Sequence, residues 1–147
     1  MNSKINLIII DSNFILLPFQ FKIDYFDEIR LNIEGKLRFI IFQQILDELE
    51  AKRRRESKHT KFIRLLENGL LYLNKNKEKY NIEIMEDVKK EIETTDDFLI
   101  KAALKFQNIG QNVYIATNDS ELRRKAKTLN INTIFLRQKR YLSIERA

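Results

Sequence analysis

Apolar positions along the chain switch back and forth between unbroken runs and a period near 3.6. Ile5 to Ile10 is a continuous, mostly β-branched run, the pattern of a central parallel strand buried on both faces. Leu37 to Phe42, Asn81 to Met85, Val113 to Ala116 and Ile131 to Leu136 read as four further strands. Helical spacing fills the intervals between them. Phe26, Ile29 and Ile33 predict a helix over about Asp24 to Leu31, and Ile45, Leu46 and Leu49 open another that runs into Lys52-Arg53-Arg54-Arg55-Glu56. Phe62, Leu65, Leu66, Leu70 and Leu73 form one amphipathic face over Lys61 to Asn74, a packing surface. Thr94 or Thr95 caps a mostly apolar helix through Phe106 that ends near Gly110, and Ser120 to Leu129 is the last helix. Strands alternating with helices predict an α/β fold. Its central, mainly parallel sheet of about five strands is joined by right-handed crossovers.

Composition narrows the chemistry. A chain of 147 residues, 44% hydrophobic, is expected to form a single domain over 1–147 with a proper core. One Pro and three Gly argue against a loop-rich sandwich. The absence of Cys excludes disulfides, zinc-thiolate sites and thiol catalysis. A lone histidine, His59, builds neither a histidine metal site nor a Ser-His-Asp triad, and in its charged stretch it reads as a surface residue. No run approaches the roughly 18 apolar residues of a membrane span. The apolar N-terminal run is too short for a signal peptide and is closed by Asp11, so a cytoplasmic protein is expected. The excess of 27 Lys+Arg over 21 Asp+Glu, a formal +6, suits a polyanionic partner.

Four acidic positions sit at strand and helix boundaries: Asp11, Glu48, the pair Asp96–Asp97, and Asp119. Ligands of open α/β sheets bind outside the carboxyl ends of the strands, where side chains from separate segments converge. Several anions in one cleft repel one another unless a cation neutralises them, which points to magnesium or manganese. Each position also has a plainer reading. Asp11 ends a wholly apolar strand, where it serves either as a ligand or as a cap for the next helix. Glu48 and Glu50 flank the Ile45-Leu46-Leu49 stripe on opposite sides, so periodicity does not choose between them, and Glu48 also has Lys52 at i+4. Asp96 falls on the apolar side of its helix and Asp97 nearer Lys101 and Lys105, which makes Asp96 the better ligand; Thr94 and Asp97 alternatively form a capping pair. For Asp119 the competing reading is Asn118 as the cap with Glu121 as its partner.

The order IIIDSN (Ile8 to Asn13), DELE (Asp47 to Glu50), DDFLIKAAL (Asp96 to Leu104) and ATND (Ala116 to Asp119) resembles the PIN-domain nuclease family over nearly the whole chain. It is most similar to small archaeal VapC-like PIN proteins and to the PIN nucleases of eukaryotic small-subunit rRNA processing. A basic Leu-Arg-Gln-Lys-Arg-Tyr segment follows the last predicted strand, as in that branch. The chain departs from the toxin branch at Ile100 and Lys101, where small residues are usual. The resemblance implies a three-layer α/β/α fold and a quartet of Asp11, Glu48, Asp96 and Asp119 as catalytic and metal-binding residues. It also implies supporting roles for Asn13, Thr117 and Asp97, and hydrolysis of RNA with Mg2+ or Mn2+. In partners it implies a homodimer, and an antitoxin or a pre-ribosomal particle.

RNA contacts would come from Lys52, Arg53, Arg54, Arg55, Lys58 and Lys61, from Arg123, Arg124, Lys125 and Lys127, and from Arg137, Lys139 and Arg140. Any of these clusters is equally readable as a solvated helix face. Nucleotide-binding loops are missing: there is no Walker A lysine and no GxGxxG. A DxD phosphatase would need an acid where Asn13 stands, and a receiver domain would need an acidic pair in that loop. The rival from another class is a non-catalytic RNA- or ribosome-binding module on the same fold.

Overall fold

The computed structural model describes residues 5–56 and 60–147, so Lys58 and His59 lie outside the described residues. The predicted strands all form, within about a residue of their expected ends: β1 Ile5–Ile10, β2 Lys36–Phe42, β3 Ile82–Met85, β4 Asn112–Ala116 and β5 Asn132–Arg137. A sixth strand, β6 Tyr141–Glu145, corrects the expected count of about five. The basic segment expected to trail after the last strand is instead the end of β5 and the turn into β6. The helices are α1 Ser12–Ile15, α2 Leu17–Gln20, α3 Tyr25–Asn32, α4 Gln43–Arg55, α5 Thr60–Asn76, α6 Thr95–Asn108 and α7 Ser120–Thr128. Two of them, α1 and α2, have four residues each and are too short to show a 3.6-residue period in the sequence.

The sheet order is β3-β2-β1-β4-β5-β6, all parallel except β6, and helices flank it in an α/β/α arrangement. From β1 the chain steps outward through β2 to β3, then returns to β4 on the other side of β1 and steps outward again. The β1/β4 boundary is therefore the topological switch point, where the loops leaving neighbouring strands part and open a crevice. β1 lies between two parallel partners, and Leu7 to Ile10 are fully buried, which is why the run has no polar alternation. Among the described residues no helix is long and apolar enough to cross a membrane.

Local chemistry ends these elements where the site needs them. Asp11 terminates β1 and caps α1 by accepting the Ser12 N–H at 2.7 Å. Thr94 caps α6, accepting the Asp97 N–H at 3.1 Å, and Gly110 closes its far end at φ 88°. Ala103, fully buried in α6, is small enough to let that helix lie close on the sheet.

The helix α5 is held against α1 by a contact only glycine permits. A Cβ at Gly69 would lie 2.0 Å from the Ile15 carbonyl oxygen and 2.9 Å from its carbon. Helix propensity favours Ala over Gly by about 1 kcal/mol, but the backbone collision opposes it and neither helix can yield without repacking. Gly69→Ala is therefore expected to destabilise the protein by about 1–3 kcal/mol in urea unfolding; a stabilised variant would show that α5 does not press on α1.

Candidate active site

Asp11 is the most buried charged group among the described residues, only 6% exposed, at the carboxyl end of the central strand. Its Oδ2 accepts the Thr117 hydroxyl at 2.7 Å and the Asn13 side-chain amide at 3.2 Å, and its Oδ1 accepts the Ser12 N–H. Thr117, fully buried, directly follows β4 next door. Its oxygen also accepts from Asn13 Nδ2 at 3.2 Å and from the Asp119 N–H at 3.1 Å, so every hydrogen-bonding capacity of that hydroxyl is filled. Asn13 Oδ1 accepts the Asn118 N–H at 2.9 Å, and Asn118 Oδ1 accepts the Leu136 N–H at 2.8 Å. These bonds stitch β1, β4 and β5 together across the switch point.

The other predicted acids gather around this network. Asp119, not Asn118, caps α7: its Oδ1 accepts the Glu121 and Leu122 N–H groups at 2.9 and 3.2 Å. Asn118 is diverted to β5, which corrects the capping alternative. Glu48 Oε1 accepts the Thr95 hydroxyl at 2.5 Å, which fastens α4 to the start of α6. Glu50 instead faces Arg53 at 3.8 Å, and Lys52 lies over the Phe62 ring at 4.6 Å rather than pairing with Glu48. Asp96 is partly buried and Asp97 exposed, and Asp97 pairs with Lys125 at 3.8 Å. Thr95 and Asn118 are structural partners that sequence patterning missed, since their roles depend on neighbours far away in the chain.

Electrostatics show that these groups share one field. Burial holds the Asp11 carboxyl above its ordinary range; the Thr117 and Ser12 hydrogen bonds pull it down, and the charges of Asp119 and Glu48 push it up again. Asp96 is raised first by burial, then by Asp119 and Asp11, with Lys125 opposing and Glu121 adding to the rise. Such mutual repulsion is relieved by a cation. Hard oxygen donors fit magnesium or manganese, which take oxygen ligands and keep several waters. Among the described residues no three carboxylates lie close enough together to hold one ion.

The basic candidates divide into paired and unpaired groups. Arg53 binds Glu67 at 3.0 Å, Arg124 sits 3.7 Å from Glu121, and Lys127 binds Glu145 at 3.1 Å. Arg123 stacks on the Phe135 ring at 3.9 Å, with Arg137 over the same ring at 5.1 Å. Arg54, Arg55, Lys61, Lys139 and Arg140 are exposed, and none of them forms an ion pair among the described residues.

Residues 8–139 match a family model described as "PIN like domain". Over 140 residues the chain is 31% identical to Ribonuclease VapC4 of Methanocaldococcus jannaschii, covering 93% of this chain and 95% of that protein. Its fold superposes on the structure of the PIN domain endonuclease Utp24 with a TM-score of 0.67 at 21% identity, covering 96% of this chain and 92% of the other.

The raised carboxyls have a consequence for stability. A group whose folded pKa exceeds its unfolded value contributes stability below the unfolded value, here 3.8, and loses it as pH rises through the folded one. In EDTA, the Asp11→Asn/Asp96→Asn protein should gain melting temperature relative to wild type as pH is raised from about 4 to 7. The acceptor lost at the Oδ2 position, where Thr117 and Asn13 donate, is a pH-independent offset. A difference that stays constant across that range would show that neither carboxyl is perturbed.

Proposed function

Because this chain belongs to the PIN-like domain family, we propose that it is a metal-dependent endoribonuclease hydrolysing RNA phosphodiester bonds at Asp11, Glu48, Asp96 and Asp119. The observation that carries this reading is Asp11: a carboxylate buried at the switch point, locked by Thr117 and Asn13, and facing other acids. A carboxylate is costly to bury, and three hydrogen bonds fix its direction as well as satisfying it. When bound, a divalent cation supplies Lewis-acid charge at the scissile phosphate and lowers the pKa of the attacking water.

The protein's own residues supply position. Thr117 and Asn13 both hold Oδ2 of Asp11, so that carboxylate cannot rotate as substrate enters. Asp119 is fixed by capping its own helix with Oδ1, and its Oδ2 has no hydrogen-bond partner among the described residues. Glu48 is steered by Thr95. Lys125 stands beside Asp96 and Asp97, where it tempers the negative field on the side of α6.

For its cellular role we favour RNA processing or turnover, on the likeness of its basic ending to rRNA-processing PIN nucleases. The identity to a protein named Ribonuclease VapC4 supports a second reading, a toxin with an antitoxin partner. Co-purification with a small protein that blocks cleavage would select the toxin; co-sedimentation with pre-ribosomal particles would select processing.

Purified protein is expected to cleave RNA with manganese or magnesium and not in EDTA. Asp11→Asn should fall to background, and Thr117→Val, which keeps shape and removes the hydroxyl, should lose about 10–100-fold in rate. Both should remain folded by circular dichroism. RNA binding without cleavage under every metal condition would favour the non-catalytic module instead.

A further inference from the structure

A groove of about 400 Å³ is lined in part by Phe19 and Phe21, by Lys61 and Arg64 of α5, and by Lys139 of the β5–β6 turn. Clefts of that volume take a single group of small-molecule size. The groove is tied to the site through the backbone. α1 and α2 leave Asp11 directly, and Phe19 stands eight residues beyond it. Gly69 pins α5 to α1, and Arg64 and Lys61 precede it by five and eight residues. At 1.5 Å per residue that places them about 8 and 12 Å along the helix from the contact. Lys139 arrives from the far half of the sheet, so the groove bridges both halves of the fold.

Two features distinguish this surface from a solvated face, an uncovered ring and a strained turn. Phe19 is 50% exposed, a large ring left uncovered among cations. Lys61, Arg64 and Lys139, like most of the Lys and Arg residues, form no ion pairs among the described residues, which leaves their charges open to an anion. Lys139 is also held in an unfavourable conformation. Gln138 and Lys139 have φ of 54° and 56°, and the Arg140 N–H donates to the Arg137 carbonyl at 3.1 Å. Such a two-residue turn favours Asn-Gly, and residues with a Cβ resist the left-handed region. Backbone strain of this kind persists at ligand-binding positions, and here it carries the Lys139 ammonium to the groove.

We propose that this groove binds a nucleotide of single-stranded RNA next to the cleavage site, its base stacked on Phe19 and its phosphates neutralised by Lys61, Arg64 and Lys139. The proposal rests on the nuclease reading above and adds a selectivity to it. Stacking on an aromatic ring tolerates any base but needs one that is not already paired and stacked in a duplex. The enzyme would therefore prefer single strands and loops while remaining largely indifferent to sequence.

The test uses the Asp11→Asn background with magnesium, in which RNA is held and not cut, and fluorescence anisotropy of a labelled single strand and its blunt duplex. Phe19→Ala should weaken single-strand binding by about fivefold or more and leave duplex binding unchanged. Lys61→Ala/Arg64→Ala should weaken both, and lower the single-strand salt slope by about 1.4, at 0.7 per phosphate contact. Lys139→Gly should weaken single-strand binding while raising the melting temperature by about 2–4 °C as the turn relaxes. Unchanged single-strand affinity in Phe19→Ala, with metal-dependent cleavage intact in the protein carrying Asp11, would overturn the groove alone. Absence of both RNA binding and cleavage in that protein would overturn the nuclease reading and the groove with it.

Discussion

An acid at the end of the most buried strand of the sheet is the constraint around which the molecule is arranged. Asp11 follows four fully buried aliphatic residues and is itself only 6% exposed. Its charge is tolerated only because neighbouring segments direct donors at it. β4 runs parallel to β1 and leads into Thr117; α1 begins just after Asp11 because the Ser12 N–H turns back to it; Asn13 spans the two. The strand order around β1, the short first helix and the chain path after β4 are each conditions for that one carboxylate.

The strands and longer helices were legible because each is long enough to repeat its own period several times. What was hidden has physical causes. β6 went unseen because its turn, Gln138-Lys139, carries none of the Gly, Asn or Pro that announce a hairpin, so the alternation of Tyr141 to Glu145 read as a tail. α1 and α2 are too short to have a period. The helical wheel did separate Asp96 from Asp97, since burial is a property of one helix's own face. Glu48 and Glu50 are symmetric about their stripe, and only Thr95 on another helix distinguishes them. Asn118 shows the same limit: its local pattern suits a cap, and a strand edge elsewhere in the chain, at Leu136, claims it.

Charge is segregated in a way that the formal +6 conceals. Acids concentrate at the crevice, where burial first and neighbouring carboxylates second raise the proton affinity of Asp11 and Asp96. Some of the basic residues are held in pairs that stitch helix to helix or helix to strand, such as Arg53 with Glu67 and Lys127 with Glu145. Exposed pairs of that kind add little stability. They do remove those cations from competition for a polyanion, which leaves the larger share of the basic residues, unpaired among the described residues, to set the positive field.

The hydrogen bond between Thr117 and Asp11 joins residues 106 positions apart, and β4 is made long after β1. On a ribosome, a chain in progress therefore carries Asp11 with neither its neighbouring strand nor its hydroxyl partner, and Asp119 does not yet exist. No N-terminal fragment that stops short of β4 can assemble the acidic mouth. For a relative of ribonucleases this ordering is a safeguard: the acidic residues come together only after β4 and the start of α7 have been made and the sheet has closed around β1.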